Sequence, residues 1–99
     1  MPRSNKTTEY VKAGSKAMLQ CEAEGVPEPT ITWQRHERYI KNTAKYQLAT
    51  YSETDNKIIS ELQFKVDMND SGKYKCIASN QHGQSHVSIL LKGNPYFII

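Results

Sequence analysis

Asp70-Ser71-Gly72-Lys73-Tyr74-Lys75-Cys76 is the stretch on which the reading of this 99-residue chain turns. It begins inside a cluster of turn-forming residues, Asp67-Met68-Asn69-Asp70-Ser71-Gly72, and runs into an alternating segment over 73–80. Tyr74, Cys76 and Ala78 share one phase of that segment and point inward. A tight acidic turn followed by an inward tyrosine and an inward cysteine reads as a corner that leads into a half-buried strand. Working outward, the other cysteine, Cys21, stands 55 positions earlier, and the one tryptophan, Trp33, follows it on the next alternating run. Ala17, Leu19, Cys21 and Ala23 alternate against Met18, Gln20, Glu22 and Glu24. Ile31 and Trp33 alternate against Thr32 and Gln34.

The rest of the chain has the same texture. No window of 11 or more residues keeps the i, i+3, i+4, i+7 apolar pattern of a helix. Strands are predicted over 8–12 (at an edge), 17–24, 30–35, 46–51, 57–66, 73–80 and 84–92. In 57–66, Ile58, Ser60, Leu62, Phe64 and Val66 lie on one side, and in 84–92, Val87, Ile89 and Leu91 point inward. The intervening segments are turns. Ala13-Gly14-Ser15, His36-Glu37-Arg38 and Ser52-Glu53-Thr54-Asp55-Asn56 carry the residues that make them. Gly25-Val26-Pro27-Glu28-Pro29 is a loop because its two prolines cannot donate ladder hydrogen bonds. Asn80-Gln81-His82-Gly83 is a hairpin turn with glycine where a positive φ is needed. About seven to eight short strands with frequent polar turns describe an all-β sandwich or barrel. The tail Gly93-Asn94-Pro95-Tyr96-Phe97-Ile98-Ile99 begins with breakers and reads as a linker, or as the start of something that packs elsewhere.

Composition narrows the function classes. Ninety-nine residues make one domain, and 37% hydrophobic with 23% charged residues is globular rather than disordered. No run approaches about 18 apolar residues and the start lacks an apolar h-region, so neither membrane insertion nor a signal peptide is expected of this segment. A net charge of +3 is mild, and no basic platform interleaved with aromatics appears, which argues against nucleic acid as a partner. Two cysteines allow at most one intrachain disulfide and are too few for a cysteine-only zinc site. No nucleophile motif such as G-x-S-x-G occurs, and no carboxylate pair sits in a cleft context. The chain is therefore read as non-enzymatic, with no catalytic residue. His82 and His86 span a turn into a strand, so their rings need not face each other; they read as solvated residues, with no metal or cofactor expected.

Cys21, Trp33 and the D-x-G-x-Y-x-C run that ends at Cys76 together resemble an immunoglobulin domain. Gly25-x-Pro27-x-Pro29-x-Ile31-x-Trp33 and Cys76-Ile77-Ala78-Ser79-Asn80-x-x-Gly83 resemble its I-set, over about residues 7–92. The resemblance implies an all-β, two-sheet, immunoglobulin-like Greek-key sandwich with one inter-sheet disulfide, Cys21–Cys76. Residues 1–6 are then a disordered or frayed N-terminal segment, 7–92 the domain and 93–99 a C-terminal tail or linker. Trp33, Tyr74, Asp70 and Leu62 are the implied structural core. Each role has a physical reason. Closing the loop between the cysteines removes roughly 4 kcal/mol of unfolded-state entropy on the chain-entropy model. Trp33 brings of order 200 Å² of surface to shield the bridge. Tyr74 places its hydroxyl on backbone near the Asp70 turn. Asp70 is expected to accept turn amides or to pair with a base such as Arg38 or Lys65.

Function is then expected in a surface. Alternation puts Thr32, Gln34, Lys73, Lys75, Ile77, Ser79, Ser88 and Leu90 on the outer face of the sheet that holds Trp33, Cys76 and Val87. Thr32, Gln34, Lys73, Lys75, Ile77 and Leu90 form the candidate partner surface, with Ile77 and Leu90 as exposed apolar residues on a polar face. The resemblance implies homophilic or heterophilic protein contacts there, alongside neighbouring immunoglobulin-type domains. Arg35, Arg38, Lys41 and Lys45 cluster in sequence; they read as a weak site for a heparin-like glycan or an acidic patch, or as a solvated edge that discourages strand-to-strand aggregation. Asn5-Lys6-Thr7 and Asn69-Asp70-Ser71 are candidate glycosylation sequons. The implied function is an extracellular recognition or cell-adhesion module of a cell-surface or secreted protein. The alternatives are a cytoplasmic spacer domain of the muscle sarcomere, with reduced cysteines, and a soluble module that binds a growth factor or glycan. The cysteine pair favours an oxidising compartment.

Overall fold

Period-two patterning makes strands, and strands with one apolar face must bury it against a second layer. The computed structural model, which describes residues 2, 7–54 and 56–94, meets that requirement with two sheets. The strands are β1 Thr8–Lys12, β2 Lys16–Glu24, β3 Thr30–Arg35, β4 Arg38–Tyr39, β5 Tyr46–Thr54, β6 Lys57–Lys65, β7 Gly72–Asn80 and β8 Gly83–Asn94. One sheet runs β1-β8-β7-β3-β4 and the other β2-β6-β5. β1 lies parallel to β8, and every other pairing is antiparallel. The result is the expected immunoglobulin-like sandwich.

Register sets the core. Along β2 and β6, Ala17 faces Phe64, Leu19 faces Leu62 and Cys21 faces Ser60, all on the inward side of the ladder. The opposite layer contributes Trp33, Tyr74, Ile89 and Leu91, all essentially sealed from solvent. Tyr46 and Phe64 meet edge to face at 5.1 Å, and Phe64 tilts against Tyr74 at 5.4 Å.

Three boundaries and one burial differ from the expectation. The polar turn after β3 is only His36-Glu37, with φ of 54° and 63°; Arg38 already belongs to β4. Two successive left-handed residues match the twist of a two-residue hairpin, but neither is the glycine or asparagine that usually announces one. β5 continues through Ser52, Glu53 and Thr54, and the chain reverses at Asn56, φ 68°. Gly93-Asn94 does not break the last strand: Gly93 pairs with Val11 and Asn94 with Lys12. Gly93 sits at a close approach: an added Cβ would lie 3.1 Å from Ser71 Oγ and 3.2 Å from Val66 Cγ1, so both side chains would have to give way by a few tenths of an ångström. The remaining tail residues, 95–99, lie outside the described residues. Finally, Ile59, in the outward phase of β6, is buried between Glu22 and Tyr51.

Candidate functional site

The candidate partner surface rests on a fixed interior. Cys21 and Cys76 are bonded and fully buried, joining β2 of one sheet to β7 of the other. Trp33 stands opposite Cys76 and Ser60 opposite Cys21. Trp33 Nε1 crosses the layer to donate to Ser60 Oγ at 2.9 Å. Ser60 was missing from the implied core as a named partner. Its signal was legible: a hydroxyl in the inward phase between Ile58 and Leu62 needs a polar neighbour. Leu62, implied as core, is completely buried.

The corner holds one end of the same sheet. Tyr74 donates its hydroxyl to the Asp70 carbonyl at 2.7 Å. Burial pushes the Tyr74 hydroxyl pKa up, well beyond its ordinary value of 10.0. Asp67 caps the 3-10 turn Met68–Asp70, its carboxylate accepting from the Asn69 amide, while the Asp67 amide donates to Asp70 Oδ2 at 2.8 Å. The bases on Asp70 are not Arg38 or Lys65. Arg35 Nη1 lies 3.4 Å from Oδ1 and Lys45 Nζ 2.6 Å from Oδ2. The reason is phase. Arg35 continues the inward side of β3 past Trp33, whereas Arg38 lies exposed beyond the hairpin and Lys65 sits in the outward phase of β6 opposite Lys16. Lys65 contributes only its carbonyl, which accepts from Lys45 Nζ at 3.0 Å. Arg35 also donates to the Asn69 and Ser71 carbonyls at 2.6 and 3.0 Å, with its guanidinium 5.2 Å from the Tyr74 ring centre. Partial burial works against the Lys45 ammonium, but the Asp70 and Asp67 carboxylates overcome it and hold its pKa above 10.5. The Asn69 amide, aided by Lys45, holds Asp67 below 3.8.

These bonds divide the basic run seen in the sequence. Arg35 and Lys45 are corner struts; Arg38 and Lys41 are exposed. Asn69 is exposed within the corner, and Asn5 lies outside the described residues. His82 is exposed in the β7–β8 turn, and His86 sits on β8 opposite Ile77.

The outer face of the five-stranded sheet assembles the six predicted surface residues. Across β3, β7 and β8, Thr32 neighbours Ile77, Gln34 neighbours Lys75, and Lys73 neighbours Leu90. Thr32, Lys73 and Leu90 are exposed, while Gln34, Lys75 and Ile77 are half-buried. Ile77 is thus less open than alternation alone implied, because neighbouring side chains on both flanking strands crowd it. Two residues join the face unforeseen. Tyr39, paired with Gln34 across β4, is 62% exposed, and Tyr10, paired with Lys92 across β1, is 65% exposed. The signal for Tyr39 was masked by reading Arg38 as turn.

With this geometry in place, the comparisons with known proteins are decisive. The family model of the immunoglobulin I-set domain matches residues 3–92. The chain belongs to the immunoglobulin I-set family. Among curated relatives, bovine neural cell adhesion molecule 1 is 42% identical over 82 residues, covering 80% of this chain and 9% of the relative. Titin of Drosophila melanogaster is 34% identical over 88 residues, covering 89% of this chain and, rounded, 0% of that protein. Among solved structures, the complex of Dpr2 Ig1-Ig2 with DIP-Theta Ig1-Ig3 superposes with a TM-score of 0.89 at 24% identity, covering 95% of this chain and 32% of that one. The I-set domain here therefore spans less than a tenth of the two curated relatives.

Proposed function

We propose that this I-set domain is an extracellular recognition module of a cell-surface or secreted protein. It acts by contact rather than catalysis, through the outer face of the β1-β8-β7-β3-β4 sheet and through adjoining domains of the same kind. The observation that carries this reading is the buried Cys21–Cys76 bond, which an oxidising compartment maintains and the reducing cytosol opposes. The likeness to a neural cell adhesion molecule points the same way. So does the placing of Tyr10, Tyr39 and Leu90 on a single open face, since aromatic and apolar residues there supply the anchors of protein interfaces. In the secretory pathway, Asn69 and Asn5 are the acceptors for N-linked glycans. The test is a thiol count on protein from its native source, denatured without reductant. No free thiol is expected; two would overturn the reading.

The likeness to Drosophila titin favours a second reading, a spacer domain inside muscle. Under it the cysteines are reduced and the same assay finds both thiols.

A further inference from the structure

Only half of the basic run around β4 is free: Arg35 and Lys45 are corner struts, and Arg38 and Lys41 stay exposed. Four lysines, Lys12, Lys92, Lys73 and Lys75, lie in the outward phase of the five-stranded sheet. Their chain neighbours Val11, Leu91, Tyr74 and Cys76 are buried on the other side. The register makes them a line. Lys12 pairs with Asn94, Lys92 lies one rung along β8, Lys73 pairs with Leu90 on the next outward rung, and Lys75 with Ser88 on the next. Each step along a strand or across a diagonal is about 7 Å, so the four lysine backbone positions form a diagonal of about 20 Å crossing β1, β8 and β7.

We propose that this lysine diagonal is a docking track for a linear sulfated polysaccharide. The proposal rests on the extracellular reading above and on the same sheet face. No carboxylate occupies an outward rung of this sheet among the described residues, and none of the four lysines is ion-paired among them. Glu37, at the rim, shares a hollow with Gln34, Lys73 and Lys75. Lys92 lies 5.6 Å from the centre of the exposed Tyr10 ring, a flat apolar surface against which a sugar ring can pack. Like charges set about 7 Å apart repel one another and gather counterions, and a line of opposite charges relieves both costs.

Three other occupants fit less well. A protein can anchor on Tyr10, Tyr39, Leu90 and the half-buried Ile77 of the same face, but the track itself sets four lysines in a line, where the core of a protein interface is depleted of charge. A single-stranded nucleic acid needs a run of aromatic platforms, and the track has only Tyr10 beside it. A second copy meeting the same face would set lysines against lysines.

The test uses heparin as the probe, with binding measured as a function of salt. The domain is expected to bind with a log–log salt slope of about −3 to −4, each lysine on the track contributing about one. Lys73→Gln and Lys12→Gln, both at exposed positions, are expected to reduce the slope by about one each, with unchanged thermal melting. The quadruple glutamine variant is expected to lose binding, and Arg38→Gln with Lys41→Gln to retain it. Three results overturn the proposal: no heparin binding by the wild type, undiminished binding by the single variants, or loss on changing Arg38 and Lys41. Polyglutamate or a DNA oligonucleotide bound as tightly as heparin overturns it too, in favour of an acidic protein or a nucleic acid. The thiol count is independent of all these arms, so failure of the track and failure of the extracellular reading are told apart.

Discussion

The two sheets of this sandwich share one core but treat the charges on their outer faces differently. On the β2-β6-β5 face, Lys57 lies 3.6 Å from both Glu22 and Glu53, Gln20 donates to Glu61 at 3.2 Å, and Tyr51 donates to the same carboxylate at 3.4 Å. Glu61 in turn helps hold the Tyr51 hydroxyl pKa up, after the effect of desolvation. Gln63 reaches even Met18 Sδ, and Ile59 is covered. On the β1-β8-β7-β3-β4 face, four lysines stand on outward rungs with no carboxylate among them. The β2-β6-β5 face pairs most of its charges internally, with Lys16 and Lys65 exposed opposite each other at one end. A face that leaves a line of like charge exposed is organised for an opposite charge brought by something else. On the proposed reading, the first surface serves stability and the second recognition.

The largest expected effect breaks both faces together, because they hang on one bridge. Reduction, or Cys76→Ala, is expected to cost about 2–5 kcal/mol and to lower the denaturant midpoint accordingly, with loss of any ligand binding as the sheets separate. An unchanged midpoint would show that the two layers hold without it. Next comes the corner that squares one end of the recognition face. Asp70→Ala leaves Arg35 and Lys45 without their shared carboxylate and is expected to cost about 3 kcal/mol in chemical denaturation. Ser60→Ala strands the buried Trp33 indole N–H and is expected to cost about 1–3 kcal/mol, seen in the same measurement.

Smaller effects separate the faces themselves. Lys57→Met is expected to cost under about 1 kcal/mol and to leave binding untouched, while Leu90→Asp and Ile77→Asp are expected to keep the fold and weaken contact with a protein partner. Equal loss of binding from both sets of variants would erase the distinction. The smallest effect is with pH. Lys45 and Tyr74 have raised folded-state pKa values, so their contributions are intact below about 10 and fall away as the pH rises further. Asp67 has a lowered one, so its contribution is present above 3.8 and is lost as the pH falls through its folded-state value. Thermal melting across pH is therefore expected to show a plateau between these limits, with the corner loosening at both ends.

Much of this was legible in the sequence because period-two alternation and register are local properties. The inward phases of β2, β6, β7 and β8 followed directly from residue order, and the Asp70–Cys76 run identified the corner. What escaped depends on distant neighbours. Arg35 and Lys45 meet Asp70 only because β3 and the approach to β5 converge on the corner, so no spacing along the chain points to the pairing. Gly93 looks like a breaker until Ser71 and Val66 are seen crowding it. The β3–β4 hairpin uses His36 and Glu37 in left-handed conformations without the glycine that would advertise them. The lysine diagonal was half visible, with Lys73 and Lys75 placed correctly. Lys12 and Lys92 joined it only once the parallel pairing of β1 with β8 was known.

The central claim is that this domain lies outside the cell with one sheet face engaged. Labelling intact source cells with a membrane-impermeant lysine reagent, followed by peptide mass spectrometry, tests it most directly. Lys16, Lys41, Lys65, Lys12 and Lys73 are all exposed in the isolated domain. Labelling of Lys16, Lys41 and Lys65 is expected, with protection of Lys12 and Lys73. Absence of label from all five, or equal labelling of Lys12, Lys73 and Lys16, would contradict it.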